Sequence, residues 1–347
     1  GLVGSGFAAA LHMEAYKQVY GIEPWVAAVA SPSERAGDFA REYGIPSVYR
    51  CMEEMIRKER PDVVDICSPP SLHAPMIGSA MGAGCHVICE KPLTGWFGDS
   101  AEPDMAKKVM EQLEQLRRVV ERSGRKFFYA ENFIYAPAVQ KSASLIRAAG
   151  EHILFMRGEE SHSGSHAGHA ALWSMNGGGS LIRQGCHPLS ALLYLKQLEN
   201  GKGAKAVGVM ADMGYIVPTL NEEERKNIQA RPKDVEDLAN VILTFEDGTK
   251  ALITAGDMIL GGVRNEIQVY TTGGVYQCRI APSDQMTTYH VEDEKLSGQY
   301  FTEKVETKKG WQSIFLCEDM ARGYVGELRD FLLCAAGRKG EPESGFS

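Results

Sequence analysis

No apolar run in this chain approaches the ~18–20 residues that span a bilayer, so nothing in it reads as a membrane helix. Basic charge is in deficit. The 37 Lys and Arg against 45 Asp and Glu leave a formal charge of −8, which provides no clustered basic face for nucleic acid. Cysteine pairs are missing too. The 8 cysteines, at 51, 67, 85, 89, 186, 278, 317 and 334, form no C-x-x-C motif. They read as small buried apolar residues of a reducing compartment rather than as disulfides or metal ligands. Repeats and low-complexity stretches are also absent. What is present is an ordinary globular composition, 44% hydrophobic and 24% charged, in 347 residues, enough for two domains of ~100–200 residues each. A small polar molecule is the default partner. The chain opens on Gly1-Leu2-Val3, which reads as the tail of a longer strand, and both ends read as cut. A cytoplasmic location is the expectation for a chain without a signal segment.

The first 125 residues alternate short apolar runs with helical patterns, as βαβ units on a parallel sheet do. The runs are 1–3, 25–30, 63–67, 86–89 and 127–130; the helical stretches are 8–19, 33–43, 52–58, 74–83 and 105–123. After them the rhythm changes. Helices are predicted over 137–149 and 181–198. Strands with two-residue alternation follow at 153–159, 204–211, 238–245, 250–256, 266–272 and 275–280. Asp247-Gly248 supplies a hairpin turn between two of them, and Thr272-Gly273-Gly274-Val275 a second. The expected fold is α/β: an N-terminal Rossmann domain on a parallel sheet (1–125), then an α+β domain (126–347) on a large open mixed or antiparallel sheet. Too few helices follow residue 204 to cover such a sheet, so a homo-oligomer, a dimer or larger, is expected.

Gly4-Ser5-Gly6-Phe7-Ala8-Ala9 fits G-x-G-x-x-A directly after a strand and at the opening of a helix. The first glycine permits the tight turn and the second lets backbone approach a pyrophosphate. The small third residue allows close helix–strand packing, with the pyrophosphate at the helix N-terminus. NAD or NADP is the implied cofactor. NAD sites commonly place Asp or Glu at the end of the second strand; Ser31 stands there, with Arg35 a turn later, a pair able to hold a 2′-phosphate. The same two residues also read as a helix entry and a solvated charge.

With these come Ser68-Pro69-Pro70-Ser71-Leu72-His73, Glu90-Lys91-Pro92, Glu131-Asn132 with Pro137, and the run Gly177–His187. On these motifs, in this order and spacing, the whole chain resembles the Gfo/Idh/MocA oxidoreductases, relatives of glucose–fructose oxidoreductase and inositol dehydrogenase. The resemblance implies that Lys91 points into the active site beside the nicotinamide. It implies that Glu90 lies at the cofactor and that the Lys91–Pro92 bond is cis. Ser68, Pro69 and His73 would line the ribose and diphosphate, and His187 would be the acid/base group. A histidine suits that role, because hydride leaving a carbinol carbon leaves a proton to be accepted near neutral pH.

One position departs from the family. Four residues before the histidine, where Asp is usual, stands Arg183. A guanidinium one helical turn from His187 is expected either to lower the imidazole pKa and bind an anionic substrate group, or to turn away and pair with an acid. The segment 159–169 carries His162, His166 and His169. Together with Trp173 and Asn132 these are read as substrate contacts, ahead of a plain loop; a metal is the least favoured reading of the three histidines. The expected function is oxidation of a secondary hydroxyl of a sugar, glycoside or polyol, C3 of a glucoside among the options, with His187 as base and Lys91 assisting. Two rivals stand beside it: an NAD-dependent glycoside hydrolase working by transient C3 oxidation, and a non-catalytic NAD(P)-binding regulator.

Overall fold

A computed structural model describes residues 1–165, 167–199, 205–281, 286–291, 294, 301, 305, 307–313 and 317–345. In chain order the N-terminal elements are β1 (Leu2–Val3), α1 (Phe7–Tyr16), β2 (Ala28–Ala30), α2 (Ala36–Tyr43), β3 (Ser47–Tyr49) and α3 (Met52–Glu59). Then follow β4 (Val63–Ile66), α4 (His73–Gly82), β5 (His86–Glu90), α5 (Met105–Ser123) and β6 (Phe127–Ala130). All of these strands pair in parallel in the order β3-β2-β1-β4-β5-β6. This is the doubly wound arrangement in which the strand order reverses between β1 and β4, opening a crevice at the carboxyl ends of those two strands. The sheet is buried on both faces by the βαβ crossovers, so its strands are almost wholly apolar. Val64, Ile66, Val87, Ile88 and Phe128 are fully buried. Strand β3 lacks any sequence signal. It is three residues long, follows Pro46 and lies at the sheet edge.

The second set comprises α6 (Pro137–Ala149), β7 (Ile153–Ser161), α7 (Trp173–Asn176) and α8 (Cys186–Gln197). After these come β8 (Ala206–Gly214), β9 (Leu238–Phe245), β10 (Lys250–Gly256), β11 (Arg264–Thr271), β12 (Val275–Ala281), β13 (Thr287–His290), β14 (Gly310–Ser313), α9 (Glu318–Arg322) and α10 (Tyr324–Ala335). Strands β7 to β12 make one six-stranded sheet in the order β12-β11-β7-β10-β9-β8. It is mixed, since β10 runs parallel to β7 and the other pairings are antiparallel. Both expected hairpins form, β9–β10 and β11–β12. Alternation decides which side is covered. Ala239, Val241, Leu243 and Phe245 of β9 are buried, while Ile242 between them is 38% exposed. Helix α8 lies on β7, β10 and β11, and α6 on β12. The opposite face carries Phe155, Leu252, Ile242 and Tyr270 among Arg157, Gln268 and Thr254, none of them fully buried.

The compact units are not the consecutive blocks 1–125 and 126–347. One comprises Gly1–Glu131 with Ser174–Gly177 and everything from Tyr324 onward; the other comprises Asn132–Trp173 and Gly178–Gly323. The C-terminal helix α10 returns to the parallel-sheet unit because its apolar face packs there. Val325, Leu328 and Phe331 are buried, and the Phe331 ring stacks on Phe128 at 5.0 Å. Periodicity shows that α10 has an apolar face but not which sheet receives it. No helix among the described residues is long and apolar enough to cross a membrane.

Candidate active site

In the parallel-sheet unit the glycine loop sits at the β1/β4 crevice. Gly4 has φ +105° and donates its N–H to the Ala30 carbonyl at 2.9 Å. A Cβ there would lie 2.6 Å from the Cys67 carbonyl oxygen, so both backbone conformation and space require glycine. Gly6 caps α1 without a side-chain hydrogen bond, no acidic residue occupies the first turn, and a Cβ on Gly6 would meet nothing within 4 Å. The helix thus begins with uncapped N–H groups beside open space, and Phe7 is 62% exposed next to them. A pyrophosphate fits such a cradle: backbone N–H donors, the positive end of a helix dipole, and no side chain in the way.

Beside the loop, the Ser5 and Ser31 hydroxyls are 3.0 Å apart. The Ser33 N–H donates to Ser31 Oγ and the Arg35 N–H to Ser33 Oγ, each at 3.3 Å, which makes the entry to α2. Arg35 is exposed. So is Arg50, just past β3, whose Nη2 donates to the Pro32 carbonyl at 3.4 Å. Sequence reasoning missed Arg50 because it missed β3, whose pairing of Tyr49 with Ala30 is what brings residue 50 alongside Ser31.

The loop after β4 holds Ser68, whose hydroxyl is buried without a hydrogen-bond partner among the described residues, beside half-buried Pro69. His73 differs from expectation. It is fully buried, with Nδ1 2.8 Å from the Pro92 carbonyl and Nε2 2.8 Å from the Ser68 carbonyl. Burial pulls its pKa below the ordinary histidine value. It braces the loops that follow β4 and β5, both ring nitrogens facing backbone carbonyls. Glu90 differs as well. It ends β5 with its carboxylate turned inward, Oε1 3.1 Å from His12 Nε2 and Oε2 accepting the Lys91 backbone N–H at 3.0 Å. Lys91 is half-buried, and its bond to Pro92 is cis as the resemblance implied.

In the mixed-sheet unit, His187 is the second residue of α8, which continues a π-helical turn over Leu181–Gly185. The start of that turn is capped from a distance. Glu236 accepts the Gly179 N–H at 2.7 Å and the Leu181 N–H at 3.0 Å, and burial raises its pKa. His187 is 4% exposed, and its ring stacks on Phe133 with centroids 4.9 Å apart and planes 17° apart. Its Nε2 lies 3.9 Å from Glu160 Oε2 on β7. Glu160 therefore places a carboxylate near the imidazole, although the usual aspartate position holds Arg183.

Arg183 itself is occupied. Its Nη2 donates to both Asp257 oxygens at 2.9 and 2.7 Å, and Nη1 reaches the Ala170 carbonyl at 3.4 Å. Asp257, directly after β10, also accepts from Gln184. Of the two expectations for Arg183, pairing with an acid is the one the structure shows: its charge is balanced by Asp257 inside the unit, and the π-helical turn interrupts the α-helical spacing to His187. Asn132 is buried, with Nδ2 donating to the Arg322 carbonyl at 2.9 Å, and so serves the fold. His162 is buried too; Nδ1 accepts the Gly164 N–H at 3.0 Å and Nε2 lies 3.0 Å from the Gln184 amide nitrogen. His166 lies outside the described residues. His169 is exposed, and His162 and His169 belong to no metal-ligand cluster among the described residues. The Trp173 backbone N–H donates to Asp234 at 2.7 Å, while its indole N–H is buried without a partner among the described residues.

Both halves match family models. The oxidoreductase family with an NAD-binding Rossmann fold covers residues 1–122, and the GFO/IDH/MocA C-terminal domain covers 152–277. This chain belongs to the Gfo/Idh/MocA family. Its N-terminal unit is accordingly an NAD-binding Rossmann domain. Curated relatives include D-apiose dehydrogenase of Paraburkholderia graminis, 29% identical over 42% of this chain and 35% of that protein. Another is D-glucoside 3-dehydrogenase of Escherichia coli, 34% identical over 27% of this chain and 25% of that one. The matches thus span about a third or less of those relatives' lengths. Among solved structures, GenD2 from gentamicin A biosynthesis in complex with NAD is 21% identical with a TM-score of 0.79, covering 99% of this chain and 88% of that one. Scyllo-inositol dehydrogenase from Lactobacillus casei, with bound NAD(H) and scyllo-inositol, is 19% identical with a TM-score of 0.71, covering 100% and 92%. At these identities the likeness is one of fold.

Proposed function

We propose that this protein is an NAD(P)-dependent oxidoreductase that oxidises a secondary hydroxyl of a sugar, glycoside or polyol, or reduces the matching ketone. The observation that carries the proposal is the glycine cradle at the β1/β4 crevice, in a chain whose two halves both match this family. The relatives' names support the substrate class: apiose, glucosides and inositol are neutral polyols. A glucoside oxidised at C3 is the specific case favoured by the D-glucoside 3-dehydrogenase match.

A dinucleotide held at the Gly4–Gly6 loop would supply the hydride acceptor for the carbinol carbon. His187 takes the hydroxyl proton, leaving a carbonyl, and Phe133 packed flat on its ring holds the imidazole in place. The Glu160 carboxylate favours the imidazolium that forms. Lys91 hydrogen-bonds the same oxygen as its charge changes. Ser31, Arg35 and Arg50 give a 2′-phosphate its partners, so NADP is accepted at least as well as NAD. We further infer that the half-exposed face of the mixed sheet is covered by a second copy of the chain; light scattering that shows only a monomer at micromolar concentration refutes this. The functional reading is tested by screening glycosides and polyols with each dinucleotide and following reduced nicotinamide. Tight dinucleotide binding without turnover on any of them refutes it.

A further inference from the structure

Helix α1, which opens at the dinucleotide loop, carries His12 and Tyr16 one turn apart on its inner face, and both are buried. His12 has no exposed surface, yet it is flanked by acids on both ring nitrogens: Nδ1 lies 2.8 Å from Asp65 Oδ2 on β4, and Nε2 lies 3.1 Å from Glu90 Oε1 at the end of β5. A neutral imidazole has a single N–H and can donate to only one of them; two carboxylates on opposite nitrogens call for the imidazolium. Every element packed around the ring fits this. Tyr16 donates to Asp65 at 2.7 Å and so fixes that acceptor. Cys67, 3.5 Å from Nδ1, has its thiol pushed up to about 12 by burial and stays neutral. From α10, the Tyr324 ring lies 6.2 Å away, and burial pushes the Glu327 carboxyl far above its ordinary range. Burial of His12 opposes its own charge, but the Asp65 carboxylate beside Nδ1 holds its pKa well above the usual value.

The second oxygen of Glu90 accepts the backbone N–H of Lys91. One carboxylate thus joins a buried cation to the first peptide of the turn that carries Lys91. We propose that His12 is a positioning residue for Lys91: its imidazolium, anchored on Asp65, fixes the Glu90 carboxylate, and Glu90 fixes the turn. This rests on the reading of Lys91 as the lysine that meets the substrate. It gives the cofactor helix and the lysine strand a shared buried pin at the carboxyl ends of β4 and β5.

The test has a spectroscopic arm and a kinetic arm. Isotope-edited NMR of the histidine ring nitrogens in the full chain, with His12 assigned by its loss in His12→Gln, is expected to show both of its nitrogens protonated at about pH 8, above the ordinary histidine range near 6.5. A ring with one protonated nitrogen at that pH overturns the proposal. Kinetically, His12→Gln is expected to lower kcat about a hundredfold, the scale of a misplaced reacting group. The Kd of reduced dinucleotide, read by its fluorescence, stays nearly unchanged. In a Lys91→Ala background the same substitution costs no further rate. Full additivity of the two substitutions overturns the link. If His12→Gln fails to fold, Glu90→Gln replaces it with the same expected loss of kcat, and full activity there overturns the proposal. A fully active Lys91→Ala removes the role of Lys91 altogether. It is told apart from failure of the link, in which Lys91→Ala is inactive while His12→Gln and Glu90→Gln are not.

Discussion

Replacing Arg183 with methionine removes the guanidinium and keeps most of the aliphatic stem. In the folded protein this strands Asp257, whose two oxygens lose donors at 2.9 and 2.7 Å and keep the Gln184 amide, with the His162 ring 3.6 Å away. Both partners are shielded, with side-chain exposures of 12% and 7%, so solvent does not make up the loss. Breaking one side of such a pair costs about 3–5 kcal/mol, most of it the uncompensated buried charge. For a unit of ~150–250 residues this lowers the melting temperature by about 6–20 °C. The double substitution Arg183→Met with Asp257→Leu leaves no orphaned charge and is expected to recover most of that loss. Melting followed by circular dichroism on the two single variants, the double variant and the parent closes the cycle. The alternative, that Arg183 exists to hold an anionic substrate, makes a different prediction: a raised KM for acidic substrates in Arg183→Met at nearly parental stability. Arg183→Met melting within about 2 °C of the parent refutes the structural reasoning. Arg183→Asp is the wrong probe here, because it sets a second carboxylate against Asp257.

His187→Ala and Lys91→Ala should each lower kcat about 10²–10⁴-fold, or ~3–5 kcal/mol of barrier, while dinucleotide binding measured by fluorescence stays intact; a fully active His187→Ala removes the proposed base. Arg50→Glu should weaken NADP roughly tenfold or more and spare NAD, measured by competition against the reduced cofactor; equal loss for both dinucleotides places Arg50 outside the 2′-phosphate site. Glu327 has a folded-state pKa raised by burial. The stability linked to it is therefore full below the unfolded value near about 4.3 and is lost as pH rises toward the folded value. Glu327→Gln should then melt above the parent at neutral pH, with the gap closing toward about pH 4, and a gap independent of pH refutes the linkage.

Periodicity and turn chemistry located most of the fold because these signals are local. Strand β9 at Leu238–Phe245 and strand β10 at Lys250–Gly256 follow from alternation around Asp247-Gly248, and helices α5 and α6 from their apolar stripes. The elements that escaped are those whose identity is settled by distant partners. Strand β3 is a strand only because Ala28–Ala30 pairs with it. The unit to which α10 belongs is decided by Phe128 and its neighbours, about two hundred residues earlier in the chain.

The candidate site shows the same division more sharply. A glycine loop can be read from sequence because each glycine answers a backbone requirement met within a few residues, and Gly4 against the Cys67 carbonyl bears that out. The partner of a charge cannot be read in this way. Arg183 in place of the family's aspartate suggested a changed pocket, yet its partner Asp257 stands 74 residues on, and a carboxylate reaches His187 from Glu160 on another strand. His73 and Glu90 sit in motifs that suggest cofactor contact, but their polar atoms are directed to Pro92, Ser68, His12 and Lys91. Buried polar groups need partners wherever the fold supplies them, so a motif fixes which residue stands at a strand end and leaves its hydrogen bonds to tertiary structure. His12 is the extreme case. Nothing in its local sequence marks it, and its role emerges only when α1, β4 and β5 bring one ring between two carboxylates.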